Sequence, residues 1–448
     1  MKMIIFIGTQ KSGSSYEALK AAQNMGYYTV LLTNQETVIS KRAEFPHINL
    51  MKYCDIDNIN WIRKTVRCLL AKGADIRAIV SFIDPHCHTA AVLSHEFGLK
   101  SFSEEAISVM LDKIKSREAL KGSPYAPFFR EIRDEKMPEM TAKFPLVLKV
   151  PASAGSKDVH KVETWRQFEK AYHEIRKVYP RGPVLAEEYL EGPQYLVETL
   201  TANRKTHIAA IVEQEITFTG RFIVTGYKMI LDHENEFFQS LKEAVSRIIN
   251  RLDMKDGPCH LEIRYVGHEW KLIEANPRIS GGAMNLFIET AYGVSLVKET
   301  LKLALGFEPD LRHKHEKESF LQYVIVPREG VLIKATGKNM ALACPGVEHV
   351  HIRPKKGSII MPPLSMAFRY AYVIATGLSA NEAAAKAKYG ASKIKFHIKE
   401  IDAYTFNRLG NAEKRFLDIA DENKNDLDKT DAFFDNYILY HRANAEMA

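Results

Sequence analysis

Apolar and polar positions follow two distinct rhythms along the first hundred residues. Short apolar runs of strand length occupy residues 4–8, 27–34 and 76–84, and small or polar residues border each run. Between them, residues 15–26 and 56–73 carry apolar side chains at the three-to-four-residue spacing of an amphipathic helix. Strands that alternate with helices predict a parallel sheet, so we expect a doubly wound α/β domain over residues 1–104.

From residue 104 the pattern changes to a mixture of helices and β-rich segments. Helices are predicted at 103–122, 164–178 and 293–307, and β-rich runs at 144–150 and 195–231. The segment 259–278 reads as a hairpin, and a further α+β stretch reaches about residue 398. We therefore expect further parts at 105–184, 185–400 and 401–448, the last being a charged helical extension.

Composition places the chain among ordinary globular proteins. Its 448 residues are 46% hydrophobic and 26% charged, which suggests several domains and excludes disorder as the main state. The formal net charge of +7 is mild, so nucleic acid is not an expected partner. The five cysteines show no C-x-x-C spacing, which favours a reducing cytosol. No apolar stretch reaches membrane-spanning length, so we expect a cytoplasmic protein without membrane contact.

A lysine on an apolar strand is the first candidate for chemistry. Lys149 ends the run LVLK, and the small-residue segment PASAGS follows it directly. A lysine is rarely buried without a negative partner, and small residues let backbone N–H groups approach an anion. The combination is typical of a phosphate-binding site. A lysine that reaches solvent from a strand edge, followed by an ordinary loop, fits the same residues.

The hairpin carries the most informative polar residues. The two-residue period of a strand directs two sets of three to common faces: His260, Glu262 and Arg264, and Glu274, Asn276 and Arg278. A turn at residues 267–268 would place Glu262 opposite residue 273 or 274. Carboxylates with an amide oxygen suit Mg²⁺ that also holds phosphates, and Arg278 would face a transferring phosphoryl group. A solvated face of salt bridges is the alternative, and the flexible segment SGG at 280–282 favours a site.

Three further signals are weaker. Glu187 and Glu188 at a strand end could bind an adenine amino group or ribose hydroxyls, although isolated acids before a turn are more often plain surface residues. The segment HCH at 86–88, with His95, could hold a transition metal, but its spacing is not that of a known site. His86 or His88 could instead line a substrate pocket. The loop GTQKSG at 8–13 lacks the dinucleotide fingerprint, so its glycines serve a tight turn.

Taken together, these segments resemble the ATP-grasp superfamily. The resemblance rests on four stretches in the right order and spacing: DKIKSR at 112–117, PLVLKVPASAGSKDV at 145–159, AEEYLEGPQYLVET at 186–199 and HLEIRYVGHEWKLIEANPRISGG at 260–282. Within that superfamily the chain is most similar to the bacterial L-amino acid ligases, through GPQYLVET, ISGGAMN and RYAYVIATG at 369–377. The resemblance implies an ATP-grasp fold of mixed α/β and α+β parts.

The resemblance also implies roles for individual residues. Those that would bind ATP are Lys113, Lys149, Ser153, Gly155, Ser156, Glu187, Glu188, Leu190 and Gln194. Those that would hold two Mg²⁺ ions, for which Mn²⁺ is an expected substitute, are Glu262, Glu274 and Asn276. Those with catalytic roles would be Arg278, Lys149, Gly281 and Gly282. The chain departs from the family where Gln194 replaces a frequent Glu and where Tyr227 and Lys228 replace a frequent His; Lys228 could supply a charge there.

The implied activity is the ATP-dependent joining of two L-amino acids through an acyl phosphate, with ADP as a product. Asp84, Glu215 and Glu289 could select a basic amino acid such as arginine. Small-molecule amino acids are the expected partners, and a homodimer is an expected assembly. Two alternatives stay open: a ligase or carboxylase that uses bicarbonate or another small acid, and a non-catalytic ATP-binding module. A dinucleotide-dependent oxidoreductase is a distant third because its fingerprint is missing.

Overall fold

The computed structural model describes residues 1–133, 143–151, 159–218, 222–363 and 366–400. Within these residues the chain forms four β-sheets with helices packed against them. Ser153, Gly155 and Ser156 of the predicted phosphate loop, and the predicted extension at 401–448, lie outside the described residues. The division of the chain at residues 104, 184 and 400 stays a prediction.

The N-terminal part is a parallel sheet with helices on both faces. Its elements are β1 (Lys2–Ile7), α1 (Ser14–Asn24), β2 (Tyr28–Thr33), α2 (Glu36–Ile39), β3 (Leu50–Tyr53), α3 (Ile59–Ala71), β4 (Asp75–Val80) and α4 (Asp84–Glu96). The strands pair in the order β3-β2-β1-β4. Successive residues of β1 point to opposite faces, so Ile4 and Phe6 pack with α1 while Ile5 and Ile7 pack with α3 and α4. The predicted parallel α/β sheet is confirmed.

The end of β4 differs from the prediction. The sequence pattern extends this strand to residue 84, but β4 ends at Val80 and Asp84 begins α4. Pro85 lies in the first turn of α4, where its missing N–H leaves no hydrogen bond unmade and its fixed φ suits a helix. Asp84 therefore stands at a helix N-terminus rather than at a strand end.

Two helices stand where the pattern predicts one. α5 (Glu104–Leu111) and α6 (Lys113–Leu120) are separated at Asp112, whose backbone is extended with φ −111° and ψ 109°. The Asp112 carboxylate accepts hydrogen bonds from the backbone N–H groups of Ile114 at 2.9 Å and Lys115 at 3.1 Å. An aspartate that caps a new helix competes with continuation of the previous one, so the prediction of one helix over 103–122 is wrong.

A second sheet is antiparallel and carries Lys149. Its strands are β5 (Phe129–Ile132), β6 (Leu146–Lys149), β7 (Val159–Val162) and β8 (Val184–Glu188), in the spatial order β5-β8-β6-β7. Helix α7 (Trp165–Val178) covers one face of this sheet through Phe168, Tyr172 and Ile175. The core that they share fixes β6 and β8 side by side, which brings Lys149 close to Glu187.

The rest of the described chain forms an eight-stranded and a three-stranded sheet. Its elements are β9 (Gln194–Ala202), β10 (Lys205–Phe218), β11 (Phe222–Met229), α8 (Glu236–Arg251), β12 (Gly257–Val266), β13 (Glu269–Asn276), α9 (Met284–Tyr292), α10 (Leu296–Ala304), β14 (Glu318–Val324), β15 (Gly330–Thr336), α11 (Lys338–Leu342), β16 (Val347–Ile352), β17 (Ile359–Ile360), β18 (Ala371–Gly377), α12 (Ala380–Lys393) and β19 (Lys395–Lys399). The large sheet has the order β13-β12-β9-β10-β11-β14-β18-β16, and the small one has the order β17-β15-β19. Segments far apart in sequence therefore share one sheet surface.

The predicted hairpin is confirmed as β12 and β13. Gly267 and His268 form its turn, with φ of 54° and 69°. Two residues with positive φ are typical of a type I′ turn, which matches the twist of the paired strands. The register places Glu262 directly opposite Glu274, and an irregularity follows just after Glu262.

Candidate functional site

One cavity of about 510 Å³ lies where three of the sheets meet. Its walls come from the loop after β1, the start of α4, the start of α6, the strands β6 and β8, and the strands β9 to β14. Of the residues that the resemblance assigns to ATP, metal or catalysis, all those in the described ranges line this cavity: Lys113, Lys149, Glu187, Glu188, Leu190, Gln194, Glu262, Glu274, Asn276, Arg278, Gly281 and Gly282. Four separate sequence stretches thus converge, whereas the role of each residue stays a prediction.

Lys149 belongs to a buried cluster of charges. Its Nζ lies 2.6 Å from Glu187 Oε2, and Arg117 Nε donates to Glu187 Oε1 at 2.6 Å. Arg117 is 1% exposed and also donates to the carbonyl oxygen of Ile273 at 2.6 Å. Burial would raise the pKa of Glu187, but the two cations outweigh it and lower that pKa to about 2. One carboxylate therefore holds two cations at the wall, which leaves the cluster with net positive charge.

Lys113 reaches the cavity from the start of α6. Its Nζ lies 3.0 Å from Glu274 Oε1 and 3.2 Å from the carbonyl oxygen of Pro151. Burial would raise the pKa of Glu274, but Lys113 outweighs it and lowers the pKa below its usual value. Lys113 thereby links the hairpin of the large sheet to the segment that follows β6.

The hairpin presents an oxygen-rich wall. Glu262 and Glu274 are direct cross-strand partners, and Asn276 lies two residues beyond Glu274 on the same strand. Glu262 Oε2 accepts a hydrogen bond from Gln194 Nε2 at 3.0 Å. Carboxylate and amide oxygens are the ligands that a hard cation such as Mg²⁺ prefers, so this donor set fits such an ion.

A buried histidine supports this wall. His260 Nδ1 lies 2.6 Å from Glu198 Oε1, and His260 Nε2 lies 3.8 Å from Glu262 Oε1. Glu198 is completely buried, and its other oxygen accepts a hydrogen bond from the Ser280 backbone N–H at 3.1 Å. Burial disfavours the charged imidazole, but Glu198 outweighs it and raises the pKa of His260 to about 10. Sequence reasoning missed Glu198, because only the pairing of β12 with β9 brings it to His260.

Arg278 and the loop 280–282 close the cavity toward the N-terminal sheet. Arg278 Nη2 donates to Asp84 Oδ2 at 2.5 Å. Gly282 has φ +64°, and a β-carbon on Gly13 would lie only 3.0 Å from the Gly282 nitrogen. The two glycine-containing loops thus approach so closely that a side chain on Gly13 would force them apart.

The segment after β8 adds a mixed polar and apolar lining. Glu188 accepts a hydrogen bond from the backbone N–H of Phe128 at 2.8 Å. Arg264 donates to Gln194 Oε1 at 2.8 Å and to the carbonyl oxygen of Leu190. Gln194 therefore bridges Arg264 and Glu262, so the residue that departs from the family pattern keeps a place between two polar groups of the wall.

Several buried polar atoms of the wall lack a hydrogen-bond partner. Among the described residues, four such side-chain atoms belong to the cavity lining: Asp84 Oδ1, Gln214 Oε1, Arg264 Nε and Ser280 Oγ. Buried polar groups are almost always hydrogen-bonded in folded proteins. Unpaired donors and acceptors on a cavity wall are the groups that a polar ligand would satisfy.

The position of the expected family histidine presents Tyr227 to the cavity, whereas Lys228 does not line it. Lys228 Nζ lies 3.1 Å from Glu213 Oε2 on the neighbouring strand. The cation that lies near Tyr227 is Arg369, whose Nη1 is 3.5 Å from the Tyr227 hydroxyl. Sequence reasoning missed Arg369 and its neighbour Tyr323, because only strand pairing brings them to each other and to Tyr227, which lies 142 positions before Arg369.

The histidines of α4 lie outside the lining of the cavity. His86 is buried, and burial lowers its pKa. His95 Nδ1 lies 2.7 Å from Glu104 Oε1. Neither His86 nor His88 is among the lining residues of the cavity. In the described ranges, no group of three or more His, Cys, Asp and Glu side chains is arranged to hold a metal, so a transition-metal site at this turn gains no support.

Two segments of the chain match known protein domains. Residues 142–285 match the ATP-grasp domain, and residues 322–399 match the L-amino acid ligase C-terminal domain 2. The chain is an ATP-grasp ligase. Enzymes of this family use ATP and Mg²⁺ and form ADP.

Curated relatives of this ATP-grasp ligase cover most of its length. The L-arginine-specific L-amino acid ligase of Bacillus subtilis is 23% identical over 320 residues, which are 68% of this chain and 76% of that protein. An uncharacterized protein of Sinorhizobium fredii is 24% identical over 395 residues, or 85% of this chain and 80% of that protein. The 2-oxoglutarate carboxylase small subunit of Hydrogenobacter thermophilus is 22% identical over 325 residues, with 68% and 67% covered.

Solved structures confirm the predicted fold. The L-amino acid ligase of Bacillus licheniformis superposes with a TM-score of 0.76 at 17% identity, over 89% of this ligase and 99% of that chain. The biotin carboxylase domain dimer of the Hydrogenobacter thermophilus 2-oxoglutarate carboxylase, solved with MgADP and bicarbonate, gives 0.62 at 16% identity, over 88% and 91%. Across the described part of the ligase, no helix is both long enough and apolar enough to cross a membrane.

Proposed function

We propose that this ligase joins two L-amino acids into a dipeptide through an acyl phosphate. The donor amino acid is the one whose carboxylate is activated, and the acceptor is the one whose amine attacks. The observation that carries the proposal is the convergence of two lysines, the oxygen wall of the hairpin and Arg278 on one cavity. The match of residues 322–399 to an L-amino acid ligase domain supports amino acids as substrates.

The phosphate-facing part of the cavity is assigned to Lys113 and Lys149. Both are held by carboxylates in the structure, so their ammonium groups are already oriented without ligand. Point charges that need no reorganisation are well suited to stabilise phosphate oxygens. We assign Glu187, Glu188, Leu190 and Gln194 to the nucleoside part of ATP.

We assign Glu262, Glu274 and Asn276 to two Mg²⁺ ions, with Mn²⁺ as a substitute. Mg²⁺ supplies positive charge that neutralises phosphate oxygens during phosphoryl transfer. Arg278, together with Lys149, would stabilise the charge on the transferred phosphoryl group. The N–H groups of Gly281 and Gly282 would face the carbonyl oxygen of the activated donor.

The reaction then needs two steps, each of which forms one bond and breaks another. A carboxylate oxygen of the donor attacks the terminal phosphorus of ATP, an O–P bond forms, and ADP leaves. The neutral amine of the acceptor attacks the carbonyl carbon of the acyl phosphate, a C–N bond forms, and phosphate leaves as the amine loses a proton. The protein positions and neutralises charge in both steps, so no covalent protein nucleophile is required.

A preference for a basic amino acid such as arginine is part of the proposal. Of the three acids considered, Asp84 lines the cavity, where Arg278 holds it. Glu215 lies 2.6 Å from Lys388 Nζ, and neither Glu215 nor Glu289 is among the described lining residues. Support for the preference therefore comes from Asp84 and from the arginine specificity of the Bacillus subtilis relative.

A cytoplasmic location and a homodimer complete the proposal. All five cysteines lie in described residues and are unpaired, which suits a reducing compartment. A structural neighbour is described as a domain dimer, and light scattering of the purified ligase would test whether this chain also forms one.

The deciding experiment measures ADP and phosphate release from Mg-ATP with the twenty amino acids, singly and in pairs. We expect release that depends on amino acids and a product with the mass of a dipeptide. Acidic or neutral amino acids that work as well as arginine would contradict the preference for a basic amino acid and leave the ligase assignment standing.

Two other results would redirect the assignment. Release that requires bicarbonate or another small acid, and no amino acid, would favour the alternative of a carboxylase-like enzyme. The 2-oxoglutarate carboxylase small subunit is a sequence relative of this chain. Binding of ATP without release under any condition would favour a non-catalytic ATP-binding module.

A further inference from the structure

An arginine on the cavity wall is held by aromatic rings. Arg369 comes just before β18, and its guanidinium carbon lies 3.8 Å from the ring centroid of Tyr323 on β14. Its Nη1 is 3.5 Å from the hydroxyl of Tyr227 on β11. The two tyrosine rings meet edge to face with centroids 5.8 Å apart. Stacking on one ring and contact with the other hold the guanidinium in one orientation.

Arg369, like Arg264 on the same cavity wall, has no carboxylate partner among the described residues. Three other lining cations each lie within 3.0 Å of a carboxylate oxygen: Lys113, Lys149 and Arg278. No described carboxylate forms an ion pair with Arg369, whose donors reach the carbonyl oxygens of Met366 and Val224 and the hydroxyl of Tyr227. Its Nη2 has no hydrogen bond to a described residue.

The oxygens around Arg369 do not neutralise it. Burial raises the pKa of Tyr227 to about 12, so this hydroxyl stays protonated at neutral pH. Carbonyl oxygens and a neutral hydroxyl satisfy hydrogen bonds but carry no compensating charge. A partly buried cation without an anion is unfavourable, and a bound anion would remove that cost.

The tyrosine pair places this cation beside the loop assigned to the activated donor. The Tyr323 hydroxyl lies 3.6 Å from the position that a β-carbon on Gly282 would occupy. Burial lowers the pKa of Arg369, but Tyr323, Tyr227 and Glu262 together raise it, so the guanidinium also lies within electrostatic range of the hairpin wall. An anion on Arg369 would therefore be a neighbour of the acyl phosphate.

We propose that Arg369, stacked on Tyr323 and bonded to Tyr227, binds the unreacting α-carboxylate of the acceptor amino acid. This inference rests on the proposed function. The two N–H groups of Nη2, which have no hydrogen bond to a described residue, are the donors left for this carboxylate, and they fix the position of the bound molecule. The amine of the acceptor is then held toward the carbonyl carbon of the activated donor, and the attack gains from fixed proximity.

The test separates activation of the donor from attack by the acceptor. Hydroxylamine, which has no carboxylate, replaces the acceptor in one reaction and yields a hydroxamate, while the other reaction contains both amino acids. Arg369→Leu is expected to raise the KM for the acceptor about 10- to 100-fold and to leave hydroxamate formation and the KM for ATP within about 2-fold. Arg369→Lys keeps the positive charge, so its KM for the acceptor is expected to lie between those of the wild type and Arg369→Leu.

Arg353→Leu is the matched control. Its guanidinium carbon lies 5.8 Å from the ring centroid of Tyr370, and Arg353 does not line the cavity, so both reactions should stay as in the wild type. Thermal unfolding checks each variant, and Tyr323→Leu repeats the comparison if Arg369→Leu does not fold. Equal losses of hydroxamate and dipeptide, or an unchanged KM for the acceptor, would overturn the inference. A wild-type enzyme that forms neither product with any amino acid would overturn the proposed function itself, and this inference with it.

Discussion

The lysine side and the tyrosine side of the cavity handle positive charge in opposite ways. At β6 and β8, Lys149 and Arg117 share the carboxylate of Glu187 at 2.6 Å each. At β11 and β14, Arg369 stacks on the Tyr323 ring and contacts the Tyr227 hydroxyl, without a carboxylate partner among the described residues. The first arrangement is stable as it stands, whereas the second is completed by a ligand. The difference teaches that a cation paired with a carboxylate is already compensated in the structure, whereas Arg369, which has no such partner among the described residues, gains from a bound anion.

The largest expected effect comes from the oxygen wall between these two sides. Glu274→Ala removes a proposed Mg²⁺ ligand and the partner of Lys113, so ADP release should fall by more than about 1000-fold. Steady-state ADP release with saturating amino acids measures it. Glu269→Ala on the same strand removes an exposed carboxylate that pairs with Lys271, and it should retain activity within about 2-fold. Equal losses of ADP release in the two variants would show that the activity depends on the integrity of the strand rather than on the Glu274 carboxylate.

The buried pair should carry the largest effect on stability. Glu187→Gln leaves Arg117 and Lys149 buried without a counter-charge, so the free energy of unfolding should fall by about 3–5 kcal/mol. Urea denaturation followed by circular dichroism measures it. Glu188→Gln is the control. Its side chain keeps an oxygen that can accept the hydrogen bond from the Phe128 backbone N–H, so the free energy of unfolding should change by about 1 kcal/mol or less. A Glu187→Gln variant as stable as this control would contradict the comparison of the two sides.

The same carboxylate predicts a pH dependence. Its pKa is about 2 in the fold, against 4.5 for the ordinary side chain, because Arg117 and Lys149 outweigh the effect of burial. A lowered folded-state pKa means that this stabilisation, about 3 kcal/mol, is complete above pH 4.5 and is lost as the pH falls toward 2. The stability difference between the wild type and Glu187→Gln should therefore shrink over that window in urea titrations at successive pH values. A constant difference down to pH 3 would show that the pKa of this carboxyl is not lowered in the fold.

The smallest expected effects distinguish Tyr227 from Lys228. Tyr227→Phe removes the hydroxyl next to Arg369 and should raise the KM for the acceptor about 2- to 5-fold. Lys228→Ala removes a partly exposed cation paired with Glu213, and should change no kinetic constant by more than about 2-fold. A larger effect of Lys228→Ala would restore the hypothesis that Lys228 replaces the family histidine.

Local patterns predicted most of the elements that build the site. The two-residue period of β12 and β13, with Gly267 and His268 between them, was enough to pair Glu262 with Glu274. The prediction failed at Asp112, where one side chain that caps a helix outweighed the apolar spacing around it. A pattern averaged over a turn of helix cannot detect such a single competing hydrogen bond.

The sequence by itself determined the types of helix and strand, the motifs that resemble an ATP-grasp ligase, and twelve described residues that line one cavity. Only the tertiary structure decided which charges are paired. Arg117 meets Glu187, and Glu198 meets His260, across 70 and 62 positions of the chain, and Arg369 meets Tyr227 across 142. These contacts depend on the order in which strands pair, and that order follows from burial of both sheet faces rather than from any local pattern.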